Sequence, residues 1–588
     1  MISAEDTKIE TSTGTATTLA RVLLGASRYL AREAVCVEDQ VSHNGRRAYV
    51  WTLLRWLHEH DVPEESAQHP TSVSKQLLDS FFRNEHGALV IYPGIHGPRN
   101  YSTNAIDCGI FVDAFHDYAT LWPEAARAHL GSIEEVVRTY LIPKISSPTL
   151  IHNQYLWAAT GLARWLRFNH GSVPDAVPLR ELLESTLDTW LTFNRADGSA
   201  SYSSTKRGGS AEGVTTYYHS RCLAFAWYIL EHADIDRPDI EARLLQGGQF
   251  LAKMILADGT KQLCLETKRY YFTGTFEAGS LPYDIYVYSK AYERTGDKNW
   301  QTLAQRSFRW IQRSQRSDGA LQSHPGRSLD WQCDTMRTGH LAWLTRVAAS
   351  SLAVLHDSEL AAVPNPGRLS TPCSSSSIQV VGYGMTWTHF VSHKSPLDGH
   401  AGQRASGLIL DRVINVNDIT APLALQYRFR ANWCATIPSV APNVVADLKH
   451  SILHARDCLL FKRNAPQAWA FIRDNLWGWF RTAIGVVSTE FCCDIEGLSL
   501  GKDQISHDLH ACDVKGKNKR RIGHRIIDWS EKGLRVRDDL TDLPTWPVRL
   551  PPGWQSTGES VTNGWVAIRD VGTVEYSGGL SHLESATR

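Results

Sequence analysis

The chain has no surplus of either charge: 61 basic residues stand against 61 acidic ones. That balance removes any overall electrostatic reason to expect nucleic acid or an anionic membrane as a partner. No run of about 18 apolar residues occurs, so no membrane-spanning helix is expected. The opening MISAEDTKIETSTGTATTLARVLLG is acidic and Thr-rich. It lacks the basic start and unbroken apolar core of a secretory signal, and a cytoplasmic location is expected. The eleven cysteines include no Cys-x-x-Cys pair and read as reduced, core-filling thiols rather than a disulfide framework or zinc site. His450 and His454 would share a strand face but have no convincing third ligand, so no metal and no cofactor are expected.

What the chain has is length and aromatics. Its 588 residues exceed a single typical core, and two domains are expected. Twenty Trp and twenty Tyr suit large cores and also clefts in which rings stack on sugars. From about residue 16 to 352, twelve segments show helical apolar spacing, among them 71–84, 123–141 and 330–352. Three of these helices run into the same turn, FNRADGS at Asp197, ILADGT at Asp258 and SQRSDGA at Asp318, at spacings of 61 and 60 residues. A period of that length is one helical hairpin with its loops and signals a repeat architecture. About six hairpins fit before residue 360, which predicts an incomplete toroid of the (α/α)6 type.

The second helix of each hairpin begins with polar and aromatic residues: NYSTNAIDCG, IHNQYLW, AEGVTTYYHSR, GSLPYDIYVYS and LDWQCDTMRTGH. In a toroid these starts share one rim and ring one cleft. Each also offers unpaired N–H groups and a positive dipole end, suited to a carboxylate or sulfate. After residue 360 the pattern changes. AAVPNPGRLSTPCSSSS reads as a linker, and runs such as IQVVGYGMTWTHFV, LALQYRFRA, GHRIIDW and GWVAIRDVGTVEYSG alternate as strands do. The expected organisation is therefore α+β and multidomain: a toroid over 1–360, a linker over 361–376 and an antiparallel β-sandwich over 377–588.

The densest chemistry lies between Asp197 and Phe225. On the helix there, Val214, Tyr218, Cys222, Phe225 and Ile229 share one face, with His219 on the adjacent stripe. With Asn153 and His152 at the neighbouring helix start, Tyr218 and His219 form a constellation suited to β-elimination from a uronic acid. The amide would stabilise the anion formed when the C5 proton leaves, a Tyr or His would take that proton, and Tyr would protonate the departing oxygen. Candidate substrate-binding residues are Arg221, Glu212, Arg207 and Tyr155, with Tyr283, Trp331 and Arg337 at later rim positions. Lys206 adds a second cation in the loop.

The run DGS followed by a Glu and YYHSR resembles the motif of the heparinase II/III-like polysaccharide lyases. GHRIIDWSEKGLRVRDDL, residues 523–540, is similar to the sheet-domain signature of that superfamily, in which an Arg-bearing strand leads to one ending in paired acids. The resemblance implies a toroid followed by a sandwich, and cleavage of an acidic polysaccharide without a cofactor. It departs at Asn153, which is followed by Gln154 where the family commonly has His. Open alternatives are a glycoside hydrolase using carboxyls among Asp107, Glu212, Asp284 and Asp334, a uronyl C5-epimerase, and a non-catalytic glycan-binding protein of a surface-polysaccharide pathway.

Overall fold

A computed structural model of the chain describes residues 16–35, 44–62, 71–78, 101–147, 152–169, 176–196, 198–200, 216–252, 255, 259, 261, 278–322 and 334–347, together with strands between 369 and 578. The helices are α1 (Ala16–Val35), α2 (Tyr49–Glu59, entered through a 3₁₀ turn Asn44–Ala48), α3 (71–78), α4 (Tyr101–Leu121), α5 (Pro123–Arg127), α6 (Leu130–Val136), α7 (Ile142–Ser146), α8 (His152–Phe168), α9 (Ala176–Leu191), α10 (Thr216–His232), α11 (Pro238–Ala252), α12 (Leu281–Thr295), α13 (Lys298–Ser314) and α14 (Asp334–His340).

Two kinds of helix alternate, and the sequence explains each. In α13 the buried residues Trp300, Ala304, Ser307, Phe308, Trp310, Ile311 and Ser314 make one broad stripe, and Asp297 caps the N-terminus by accepting from the Asn299 amide at 2.9 Å. By contrast, α12 is buried at every position from Leu281 to Ser289, and α10 is buried from His219 to Leu230. A helix buried all round must sit inside others. The inner helices pack in a closed cycle: α2 on α4, α4 on α8, α8 on α10, α10 on α12, α12 on the 3₁₀ segment Leu341–Arg346 that continues α14, and that segment back on α2. The one-striped helices α1, α9, α11 and α13 pack outside them. The toroid, expected to be incomplete, is instead closed, because the 3₁₀ segment Leu341–Arg346 packs on both α12 and α2.

The three Asp-Gly turns make the ring's outer joints. Asn194 bridges to Ala200, Ile255 to Lys261 and Gln315 to Leu321, each pair spanning one turn. Gly198, Gly259 and Gly319 have φ of +86°, +84° and +92°. A Cβ added to them would lie 2.2 Å from the Gln246 carbonyl oxygen, 1.9 Å from that of Arg306 and 1.9 Å from that of Gly25. Each turn thus rests on the backbone of the next outer helix, α11, α13 and then α1. The last contact joins the end of the repeat to its beginning.

Two helical expectations change. The segment 330–352 contains the seven-residue α14 and the 3₁₀ segment Leu341–Arg346, which ends at extended Val347. That winding leaves Arg346 paired with Asp113 of α4, an ion pair that apolar spacing does not register. The segment 123–141 is three short pieces, the last a π-turn Val137–Leu141 just before α7. Pro143 in α7 has no N–H to donate, and the wider winding ahead of it absorbs the mismatch.

The C-terminal strands are β1 (Leu369–Pro372), β2 (Ser376–Val381), β3 (Met385–Phe390), β4 (Gly407–Val413), β5 (Cys492–Leu500), β6 (Gln504–Cys512), β7 (Arg520–Ser530), β8 (Gly533–Leu540), β9 (Trp546–Arg549), β10 (Gln555–Ser556), β11 (Trp565–Ile568) and β12 (Gly572–Gly578). They form antiparallel sheets in the orders β1-β2-β3-β4, β10-β12-β8-β7-β6-β5 and β11-β9. Antiparallel strands match the expectation. The stacking of one sheet on another that defines a sandwich falls outside the described residues, as does LALQYRFRA. Strand β1 and the start of β2 lie inside the stretch read as a linker. In the β7–β8 hairpin the buried Arg525 and Asp538 face one another in register and pair through both carboxylate oxygens. The Arg-then-acid signature is thus a cross-strand ion pair.

The joints predict a graded response to alanine. Gly319→Ala should cost at least about 2 kcal/mol, because the methyl meets backbone that cannot move aside. Gly296→Ala, also at positive φ (+67°) but with nothing within 4 Å, should cost only about 1 kcal/mol. Urea unfolding of the two variants checks the order, and equal costs would refute the joint.

Candidate active site

Each of the six inner segments sends a polar side chain toward the ring's centre. The floor is aromatic. Trp157 of α8 lies 6.3 Å from Tyr283 of α12 and 5.9 Å from His340 of α14, and Tyr283 lies 5.2 Å from His340. Beneath them the Tyr49 hydroxyl accepts from the indole N–H of Trp157 at 3.4 Å and of Trp343 at 3.3 Å.

Over this floor sits Arg221 of α10, 2% exposed. Its guanidinium carbon is 5.4 Å from the Trp157 ring, 5.5 Å from Tyr218 and 5.5 Å from Tyr283. Such contacts hold a cation by the ring quadrupoles while water is excluded. The guanidinium carbon of Arg46, in the 3₁₀ turn before α2, also lies 5.1 Å from the Trp157 ring centre, and Arg46 donates to Asp107 of α4 at 3.2 Å. Arg337 of α14 is also fully buried and pairs with Asp334 at 3.3 Å.

Several buried atoms at this floor have no protein hydrogen-bond partner among the described residues: Asn153 Oδ1, the Tyr283 hydroxyl, Asp107 Oδ2 and His340 Nε2. His340 Nδ1 lies 3.0 Å from the Gly279 carbonyl oxygen. A carbonyl only accepts, so the shorter contact puts the proton on Nδ1, with Arg221 Nη2 3.5 Å from the same atom, and makes Nε2 an acceptor. Burial and the neighbouring arginines keep that ring neutral. Burial likewise pushes the Asp107 carboxyl up to about 6 against the opposing pull of Arg46.

The structure separates the expected catalytic residues. Tyr218 is half-buried beside Arg221, and Asn153 is buried one helical turn before Trp157 on the same face. The two histidines instead face the outer layer. His219 packs edge-on against Phe250 of α11, at 5.6 Å, and lies against the backbone of Gly198. Burial, with Lys261 and Arg195 nearby, lowers its pKa to about 3. His152 lies 4.6 Å from the Phe193 ring, and its Nδ1 is 2.8 Å from the Tyr155 hydroxyl; burial lowers its pKa to about 4. One residue along a helix is a rotation of about 100°, which is enough to carry His219 from cleft to hairpin interior when Tyr218 faces the cleft.

Tyr155 is buried with His152 rather than over the floor, Tyr283 is at the floor, and Arg337 is buried in α14 against Asp334. Asp284 is committed to Lys261 at 2.8 Å. Glu212, Lys206, Arg207 and Trp331, and likewise His450 and His454, lie outside the described residues. Among the described residues no group of three or more His, Cys, Asp or Glu is placed to hold a metal ion, and no helix is long and apolar enough to cross a membrane. Sequence reasoning missed Arg46 and Trp157. Arg46 follows an Asn-Gly turn immediately before an aromatic helix, a signal that marks the turn but not its direction.

No protein-family model matches the chain. No curated protein matches it either. Solved structures do show similarity. Heparinase III is among them. It is 10% identical with a TM-score of 0.41, over 91% of this chain and 76% of the other. An unsaturated glucuronyl hydrolase from Bacillus sp. GL1, responsible for glycosaminoglycan degradation, is 12% identical with a TM-score of 0.40, over 58% of this chain and 100% of its own. A cellobiose 2-epimerase from Bacillus thermoamylovorans is 11% identical with a TM-score of 0.37, over 52% and 86%. These are likenesses of chain path, and the chemistry of the site is argued from its residues.

The buried imidazole of His219 has a measurable consequence. The unfolded chain binds a proton there near pH 6.5, while the folded chain resists it down to about 3. The stabilisation is complete above pH 6.5 and is lost as pH falls through that window, by up to about 1.4 kcal/mol per pH unit for one such group. His219→Gln should flatten this part of the stability profile in urea unfolding at pH 7, 6 and 5. An unchanged slope would contradict a buried neutral ring.

Proposed function

We propose that this chain is a glycan-processing enzyme that cleaves a uronic-acid-containing polysaccharide by β-elimination. The observation that carries the reading is the placement of Arg221 beside Tyr218 over an aromatic floor. The buried Trp157 and Tyr283 rings hold the guanidinium in place, and the carboxylate of the sugar meets it beside the half-buried Tyr218. Neutralising that carboxylate acidifies C5. Tyr218, entering the step as a phenolate beside the Arg221 guanidinium, takes the C5 proton, the electron pair forms the C4–C5 double bond, and the C4–O bond breaks with its electrons leaving on the glycosidic oxygen. Tyr218 then returns the proton to that oxygen. Asn153 donates its amide to the substrate carboxyl as negative charge builds there. The orphaned polar atoms of Asn153, Tyr283 and His340 support a polar ligand, since buried groups of this kind are normally paired. With both histidines turned outward, Tyr218 serves as base and then acid.

One observation favours a second reading. Asp107 has one oxygen held by Arg46 and the other without a partner among the described residues, and its carboxyl is raised to about 6. Such a group is a proton donor near neutrality, as hydrolysis requires. Asp334, paired with Arg316 at 3.0 Å and Arg337 at 3.3 Å, would be the second carboxyl.

A panel of acidic polysaccharides separates the readings. Elimination yields the ultraviolet absorbance of the unsaturated uronate. New reducing ends without it would turn the reading to hydrolysis, and deuterium uptake at C5 without cleavage would turn it to epimerisation. Under elimination, Tyr218→Phe should lower kcat/KM by about 100-fold or more, while His219→Gln should change it less than about tenfold. The reverse order would restore His219 to the reaction.

A further inference from the structure

A second buried polar cluster lies beside the site without lining it. Lys261, 1% exposed, follows the middle Asp-Gly turn. Its ammonium reaches Asp284 of α12 at 3.0 and 2.8 Å, Ser280 at 3.4 Å, and the Ser220 hydroxyl of α10. Ser220 in turn donates to Asp284 at 2.6 Å. These groups are committed to one another, the Ser220 hydroxyl donating its proton to the Asp284 carboxylate and the lysine being held as an ammonium by that same carboxylate. The cluster is therefore not a serine–lysine nucleophile.

Its place in the repeat is informative. The residue that closes each turn is Ala200 in the first, Lys261 in the second and Leu321 in the third, and all three are buried. A small or apolar side chain is sufficient for the joint at two of the three. The charged one stands between α10, which carries Tyr218 and Arg221, and α12, which carries Tyr283. Burying an ion pair where an apolar residue would serve rarely adds stability, but its hydrogen bonds are directional. Ser220 immediately precedes Arg221. A hold on Ser220 therefore sets the rotation of α10 about its axis, and with it the aim of both residues.

We propose that Lys261 is a positioning residue: it ties the middle turn to the first turns of α10 and α12 so that Tyr218 and Arg221 face the aromatic floor together with Tyr283. This rests on the reading of Tyr218 and Arg221 as the reacting pair. The orientation it provides should be visible in kcat more than in KM, because misplacement by about 1 Å can cost about 100-fold.

Two variants of the full chain test it. Lys261→Met combined with Asp284→Leu removes both charges and keeps the volume apolar, and Ser220→Ala deletes only the oxygen that links Lys261 to α10. For the double variant the expected result is a melting temperature close to wild type and a kcat about 100-fold lower with KM within about threefold, on whichever polysaccharide the wild type cleaves. Ser220→Ala should show the same split to a smaller degree. Hydrogen exchange read by mass spectrometry should quicken in residues 216–223 in both variants, and this arm needs no activity. Should the wild type cleave none of the polysaccharides, the proposed reaction fails while exchange still judges the tie. Wild-type kcat in the double variant, or unaltered exchange over 216–223 in either variant, would overturn the role of Lys261.

Discussion

The tightest constraint in the toroid is backbone against backbone. At each Asp-Gly turn the Cα of a left-handed glycine occupies the space over a carbonyl of the neighbouring outer helix, where no Cβ fits. Because the turn is also closed by a bridge across six residues, its position along that helix is set by the main chain. Three such joints at nearly equal spacing place α9, α11, α13 and α1 around the ring. Three of the inner helices, α10, α12 and α14, are the next helices in the chain after these turns. Gly25, on the first helix, receives the last turn, so closure depends on residues about 290 positions apart in sequence.

Within the ring the same device recurs between α4 and α8. Gly109 and Gly161 meet so closely that a Cβ on either would lie 2.6 Å from a backbone oxygen of the other helix. That approach brings Asp107 of α4 and Trp157 of α8 to the centre, each within a turn of a glycine. The far end of the ring is filled by charge as well as by apolar packing. Arg346 pairs with Asp113 and lies over Trp343 at 4.3 Å and Tyr228 at 4.4 Å, while Asp117 accepts from Arg164 at 3.1 Å and Arg55 at 2.9 Å. Removing one partner from such a network leaves a buried charge exposed to low dielectric, which costs far more than the pair is worth. The floor therefore rests on a base that resists deformation.

Much of this was legible in sequence because repeats write the same physics several times. The period of the Asp-Gly turns marked the hairpins, and the polar helix starts marked the rim. Rotation about each helix axis was not legible. Tyr218 and His219 are adjacent in sequence, and only the packing of Phe250 and Gly198 decides that His219 belongs to the hairpin interior. The same holds for His152, whose partners Phe193 and Tyr155 absorb it. Convergence across the ring was also hidden. Arg46, Trp157 and His340 lie in three distant stretches, and nothing local in HNGRRAYVW announces that its arginine will share an indole with Arg221.

The floor's composition follows from its dielectric. A cation buried among lipid-like side chains would be expelled, and one buried among carboxylates would be neutralised and lose its pull on a ligand. Faces of Trp and Tyr rings do neither: they stabilise a guanidinium while leaving its edge free of a fixed counter-charge from the rings themselves. Any anion entering such a place gains more from the arginine than it would in water, because the intervening dielectric is low. Asp107 is subject to the same environment from the opposite side. What strengthens Arg221 toward an anion is what raises the Asp107 carboxyl to about 6 against the pull of Arg46, so one and the same burial sets the strength of both groups at the floor.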